Sequence, residues 1–329
     1  MATEYGLLLP HFGKDAHPEK IIEGAKRAER WGFDAVFVRD HLIFHPHGME
    51  GTDPTFIDPF IVLASVGAVT TRLKLGTGSL IPHRHPLLLA LMINSLLYLA
   101  GDRVILSIGL GNFQHEFDAI GMGDWPRDEV VREQVQILRR VWTEDHVTFE
   151  GKFYRFHDVS LTPKPPTVPK IWYAGGTPAS VRRALEYCDG WLPGRITLAT
   201  YRKRVEKLRS EAAAQGRPRV LEGCIPITSV DEDRETALRK VNVEGLLENA
   251  NKQKFWVRPP SGRFERPEDL EGSFLYGTPE DIVREVEKYL EVGIDLLVFD
   301  LRFRFDEWER SIDLLGREVL PRVRRLQVR

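Results

Sequence analysis

Eight short apolar runs alternate with longer segments of helical pattern along this chain, and that alternation restricts its fold more than any other feature. The runs lie at 5–9, 35–38, 73–77, 104–109, 170–174, 191–193, 224–228 and 296–299. Helical patterns follow at 18–31, 59–69, 86–99, 129–142, 179–187, 199–215 and 279–291, with a last one over 306–323. Strands joined through helices run parallel, and eight such units close into a (β/α)8 TIM barrel. Thr177-Pro178 and Thr278-Pro279 each set a hydroxyl at an N-cap and a proline at the first helical position. Three stretches break the alternation: 45–58, 146–169 and 242–276. They are expected as insertions in the βα loops of one domain spanning 1–329, and long loops in a barrel usually serve function.

The totals exclude several classes. With 46 basic and 48 acidic residues, the chain has no bulk attraction for nucleic acid or an acidic membrane. The two cysteines, Cys188 and Cys224, form no metal or redox motif and are expected in the core. The first residues have neither the basic start nor the apolar run of a secretory signal, so a cytoplasmic protein is expected. The most apolar segment, 86–99, is too short to span a bilayer. Being apolar nearly all round, it suggests a helix facing a second subunit and hence a homodimer.

In a β/α barrel the polar residues at the carboxyl ends of the strands sit on the catalytic face. The second run leads into Asp40 and His41, an acid and an imidazole that can exchange protons near neutral pH. After the third run come Thr77, Gly78 and Ser79, where glycine lets backbone approach a planar ligand. The fourth run leads through Gly109-Leu110-Gly111-Asn112 to His115 and Glu116; it lacks the third glycine of a Rossmann fingerprint. The fifth ends in Gly175-Gly176-Thr177 at a helix start, a setting that favours a phosphate, with Arg195 following the sixth run. His11 ends the first run and is placed to line the pocket. His83 and His85 flank Arg84 and suit either ligand contact or helix capping.

In the order and spacing of these segments the chain resembles the luciferase-like monooxygenase superfamily, barrel proteins that bind FMN or the deazaflavin F420. The resemblance covers 33–41, 75–86, 104–116, 149–154, 171–177, 189–194 and 277–299. It implies a flavin ring over the barrel mouth, backed by a cis peptide at Gly78–Ser79. It further implies cofactor contacts from Asp40, Thr77, Gly78, Ser79, Asn112, His115, Gly194 and Arg195, a phosphate on Gly175, Gly176 and Thr177, and substrate contacts from His11, Phe44 and His45. The Asp40-His41 pair is similar to the F420-dependent branch, whose dehydrogenases use the corresponding histidine as proton acceptor. Two residues depart from those dehydrogenases: Asn112 stands where they have a glutamate, and His45 where they have a tryptophan. Asparagine exchanges no proton at ordinary pH, so it can only orient a partner such as His41.

The resemblance implies an F420-dependent oxidoreductase moving a hydride between deazaflavin and a small organic substrate, with reduction favoured over alcohol oxidation. An FMN-dependent two-component monooxygenase of the bacterial luciferase type is the alternative, and a separate cofactor reductase is the expected partner. Two readings from other classes are a metal-dependent hydrolase using His41, His45 and His47, and a cofactor-free binding protein on the same barrel.

Overall fold

The computed structural model describes residues 2–46 and 48–327. Eight strands form its centre: β1 (Glu4–Leu8), β2 (Ala35–Val38), β3 (Lys74–Thr77), β4 (Val104–Ile108), β5 (Ile171–Ala174), β6 (Gly190–Leu192), β7 (Leu221–Cys224) and β8 (Leu296–Phe299). Each pairs in parallel with the next, and β8 closes on β1 through Leu297↔Tyr5 and Phe299↔Leu7. Helices cover the outside, so both faces of each strand are dry and the strands read as unbroken apolar runs. Val36, Phe37, Leu106 and Leu297 are closed to water. The Phe37 ring fills the barrel beside Gly76, where a Cβ would come within 2.5 Å of ring carbon.

The helices Pro18–Trp31, Pro59–Val69, Pro86–Ala100, Arg127–Thr143, Pro178–Tyr187, Leu198–Ala214 and Pro279–Val292 follow the sequence pattern closely. Their starts are fixed as the cap residues dictate. Thr177 Oγ1 accepts from the Ser180 N–H at 3.1 Å, and Thr278 and Asp281 cap each other's backbone reciprocally. His85 accepts from the Leu87 N–H at 3.3 Å, which makes it a helix cap.

Three segments differ from expectation. The seventh apolar run is two strands, because Pro226 has no N–H to continue a ladder. β7 stops at Cys224, and Ile227–Val230 leaves the barrel to pair with Phe274–Gly277. The stretch 242–276 is not irregular: it contains helix Val243–Lys252, a 3-10 turn at Pro267–Leu270 and that second strand. Leu246, Phe264, Leu270 and Phe274 give it a small core of its own, and its charged residues are the wet face of an amphipathic helix. The last helix is broken into a 3-10 segment Arg302–Glu307, helix Trp308–Leu314, a π segment Leu315–Val319 and helix Leu320–Leu326. Pro321 lacks the N–H that a continuous α-helix needs there. Cys188 and Cys224 are buried free thiols, and burial pushes that of Cys224 up to about 12. Among the described residues no helix is long and apolar enough to cross a membrane.

Since the strands all run one way, their carboxyl ends share a single rim. That rim carries Asp40, Thr77, Asn112 and Gly175 together. Gly76→Ala forces a methyl group against the buried Phe37 ring and should destabilise the fold by about 1–3 kcal/mol. Urea unfolding measures this; an unchanged midpoint would show that the ring has room to move.

Candidate active site

The end of β2 supplies two polar side chains that face different neighbours. Asp40 is closed to solvent, and its Oδ2 accepts from the Ile81 N–H at 3.0 Å and from Arg84 Nη1 at 2.7 Å. Arg84 also reaches Asp58 at 2.9 Å, the residue that caps helix Pro59–Val69. The other oxygen, Oδ1, is buried without a hydrogen-bond partner, with His83 Nε2 3.8 Å away. Burial holds the His83 imidazole below its ordinary pKa despite this acid.

His41 turns toward the loop after β4. Its Nδ1 lies 3.2 Å and 3.3 Å from the two carboxylate oxygens of Glu116. Glu116 is wholly buried and also accepts from the Leu42 and Ile43 N–H groups, at 2.7 and 3.2 Å. Burial alone would raise its pKa; the bonds from His41 and the two amides outweigh it and hold the carboxyl below 4.5. An ionised carboxylate only accepts, so Nδ1 carries the ring proton and Nε2 keeps its lone pair. Arg39 Nη2 stands 3.4 Å from that Nε2.

Arg39 belongs to a second buried network. Its guanidinium lies 4.6 Å over the Phe12 ring and pairs with Glu50 at 3.2 Å. Glu50 also pairs with Arg302, whose Nε lies 2.9 and 2.8 Å from the oxygens of Asp300 just beyond β8. Burial lowers Arg39 to about 10, whereas in Arg302 the two carboxylates overcome burial and the pKa rises. His11 locks this corner: it accepts from the Arg39 N–H at 2.9 Å and donates to the Ile57 carbonyl at 3.1 Å. Complete burial drives His11 down to about 3, so it is a neutral strut.

Across the mouth lies the glycine turn. Gly175 has φ +110°, a Cβ there would come within 2.6 Å of Ser180 Oγ, and its carbonyl accepts from Trp191 Nε1 at 2.9 Å. The Gly78–Ser79 bond is cis, as the resemblance implied. Arg195 follows β6; among the described residues it has no hydrogen bond or ion pair, and its Nε is buried without a partner. Burial, then the neighbouring Arg302, lowers its pKa to about 10.

Asp40, His41, Gly78, Ser79, Asn112, Gly175, Thr177, Gly194 and Arg195 all line one cavity of about 380 Å³. Gly176 borders an adjoining one. The remaining candidates do not line either cavity. Thr77 exchanges hydrogen bonds with the Ser107 backbone, and Phe44 packs on His41 and Phe56. His45 stacks on His115 with ring centroids 4.0 Å apart. His47 lies outside the described residues.

Four residues escaped the sequence reading: Arg39, Glu116, Asp300 and Arg302. The rule that singled out Asp40 also applies to Asp300 and Arg302, which directly follow β8. Glu116 was within the segment read after β4, one helical turn beyond Asn112. The carboxylate that orients His41 is therefore that of Glu116, not a side chain at 112.

A parallel barrel with an imidazole–carboxylate pair and a glycine turn on one rim has the layout of a barrel enzyme. The profile described as luciferase-like monooxygenase matches residues 3–296, and the chain belongs to that family of oxidoreductases. It is 29% identical over 329 residues to the F420-dependent glucose-6-phosphate dehydrogenase of Intrasporangium calvum, covering 94% of this chain and 96% of that protein. Likeness to the enzyme of that name from Mycolicibacterium gilvum is 29% over 325 residues, covering 94% and 95%. Among solved structures, an F420-dependent secondary alcohol dehydrogenase in complex with an F420-acetone adduct superposes with a TM-score of 0.81 at 21% identity, covering 98% and 99%. The coenzyme F420 dependent tetrahydromethanopterin reductase from Methanopyrus kandleri gives 0.77 at 21%, with the same coverage. These last two likenesses show the fold alone.

Because the folded pKa of Glu116 is depressed, its ionised form stabilises the fold above pH 4.5, and that contribution is lost as pH falls through the lower folded value. Glu116→Gln should cost about 1–3 kcal/mol at pH 7. The gap from wild type should narrow steadily below pH 4.5 in parallel urea titrations. A gap independent of pH would mean that the carboxylate is not held ionised.

Proposed function

We propose that the protein is an F420-dependent oxidoreductase that reduces a small organic substrate. One observation carries the cofactor reading. Two buried atoms that lack a hydrogen-bond partner among the described residues, Asp40 Oδ1 and Arg195 Nε, follow β2 and β6, which face one another across the closed barrel. A ligand lying across the mouth can offer a ring N–H to the acid at one end and a phosphate to the arginine and glycine turn at the other. A deazaflavin has these groups in that order, and the relatives' names point the same way.

When bound, the reduced deazaflavin supplies a hydride donor. The protein's own part is proton transfer. His41 first takes up a second proton at Nε2 and then delivers it to the substrate atom that gains the electron pair, and Glu116 compensates the positive charge while the ring carries two protons. Asn112 lines the same cavity and orients the substrate by hydrogen bonding. Each turnover consumes one hydride, so a separate reductase must restore the cofactor.

The discriminating experiment is a titration of purified protein with oxidised F420 and with FMN, followed by fluorescence quenching. Micromolar binding of F420 and not FMN is expected; the reverse result would reassign the protein to the FMN-dependent monooxygenases. His41→Ala should lower turnover by roughly 10²–10⁴-fold and leave F420 binding intact. Turnover within a few fold of wild type would make His41 a positioning residue.

The same reading includes a homodimer. Helix Pro86–Ala100 leaves Leu88, Leu91, Tyr98 and Leu99 exposed, an apolar stripe larger than isolated surface residues account for. Leu91→Glu with Tyr98→Glu should convert the dimer to monomer in light scattering. A wild-type monomer at high micromolar concentration would remove this part of the proposal.

A further inference from the structure

Arg39 and His41 stand as donor and acceptor in the structure. Both line the mouth cavity, and Arg39 Nη2 lies 3.4 Å from His41 Nε2, the atom that has to hold and release a proton. Among the described residues that imidazole lone pair is the one acceptor Nη2 has. The other arm, Nη1, donates to Glu50 Oε1 at 3.2 Å, an oxygen that also accepts from Arg302. The guanidinium keeps its direction because it is buried and stacked. Its carbon lies 4.6 Å over the Phe12 ring and 5.3 Å over that of Phe44, and the side chain is 8% exposed.

This arrangement suits one protonation state of His41 and not the other. When Nε2 takes up its second proton the lone pair is gone, and two N–H donors face each other across 3.4 Å. A guanidinium accepts in no state, so a change of tautomer does not relieve the conflict. A buried donor left without an acceptor is costly, and more so on a charged group. A productive substrate therefore brings two acceptors side by side, one for Nε2–H and one for Nη2. The acceptor that meets the guanidinium binds most strongly when it is ionised.

We propose that the substrate is a 2-oxo acid, its carboxylate held by Arg39 and its keto oxygen by His41. The inference rests on the F420 reading. In a 2-oxo acid the two kinds of oxygen sit on adjacent carbons, which matches two donors that stand next to each other. A simple ketone or aldehyde would answer His41 and leave Nη2 bare. In the reaction the carbon–oxygen π bond breaks, a C–H bond forms at the keto carbon with the hydride of reduced F420, and the keto oxygen takes the Nε2 proton. Two electrons pass to the substrate, giving a 2-hydroxy acid and oxidised F420. The deazaflavin releases its own ring proton to solvent, which replaces the one His41 took up. The carboxylate is unchanged, so Arg39 binds and does not react, and Nε2 regains the lone pair that accepts from Nη2.

The first arm of the test uses wild type loaded with reduced F420 and two probes that accept no hydride. Oxamate keeps the adjacent carbonyl and carboxylate of a 2-oxo acid; oxamide is its neutral counterpart. In calorimetric titration oxamate should bind roughly 10- to 100-fold more tightly, the worth of one hydrogen bond between charged groups. The second arm follows oxidation of reduced F420 by pyruvate and by methyl pyruvate, where kcat/KM should favour the acid by a similar factor. Arg39→Gln should abolish both preferences, and Arg39→Lys, which keeps the charge without the second arm, should restore part of them. A purely structural Arg39 would lower acid and ester alike and leave the preference in place. Equal binding of the two probes, no binding of oxamate, or a preference that survives Arg39→Gln overturns the substrate class and leaves the F420 reading standing. Failure of F420 itself to bind overturns the two together. The wild-type arms decide the matter if the variants do not fold.

Discussion

Charge buried at the barrel mouth has to be paired, and that requirement shapes the whole catalytic face. An ionised group removed from water is costly unless a partner meets it with good geometry. Here the partners come from different loops. Asp40 after β2 holds Arg84 after β3, and Arg84 holds Asp58 in the 45–58 insertion. Glu116 after β4 holds His41 and two amides after β2. Glu50, in that same insertion, is shared by Arg39 after β2 and Arg302 after β8. Each pair fixes one loop against another, so segments that would otherwise move independently become a rigid wall. The barrel sets where the loops begin; the ion pairs set where they stop.

This explains how unevenly the sequence revealed the molecule. Strand and helix signals are local, so the barrel, its helix starts and the shared rim could be read from apolar period and caps alone. Asp40 and His41 were legible because they directly follow a strand. Glu116 was not, since its importance lies in a contact across 75 positions with His41, and no local pattern marks which glutamate will be buried. Arg39 was hidden for a similar reason: an arginine beside two obvious site residues gives no sign that Phe12 and Glu50 will enclose it. The strand after Pro226 and the helix within 242–276 were obscured differently. Both belong to a small separate core whose apolar residues are spread thinly among charges.

Some residues the resemblance brought forward are supports. His11 is too deeply buried to titrate near neutral pH, and its two hydrogen bonds tie the start of the Arg39 corner to Ile57. Thr77 staples β3 to β4 through the Ser107 backbone. Such residues occur in the right segments because the wall needs them. Their presence argues for the architecture and says little about the ligand.

What argues about the ligand is the pairing that was left incomplete. Around the mouth Arg39 and Arg302 are balanced by Glu50 and Asp300, and Arg84 by Asp40 and Asp58. Against that background of matched charge, Asp40 Oδ1 and Arg195 Nε are buried without a hydrogen-bond partner among the described residues. Leaving a buried acceptor unsatisfied costs on the order of 1–3 kcal/mol, and a fold that has paired its other mouth charges has the means to pair these. The deficit is of opposite sign at the two sites, a hydrogen-bond donor wanted at β2 and an anion wanted at β6. A molecule that meets both demands must span the mouth and carry an acidic group at one end, which fits a phosphorylated flavin-type cofactor and does not fit a small neutral metabolite.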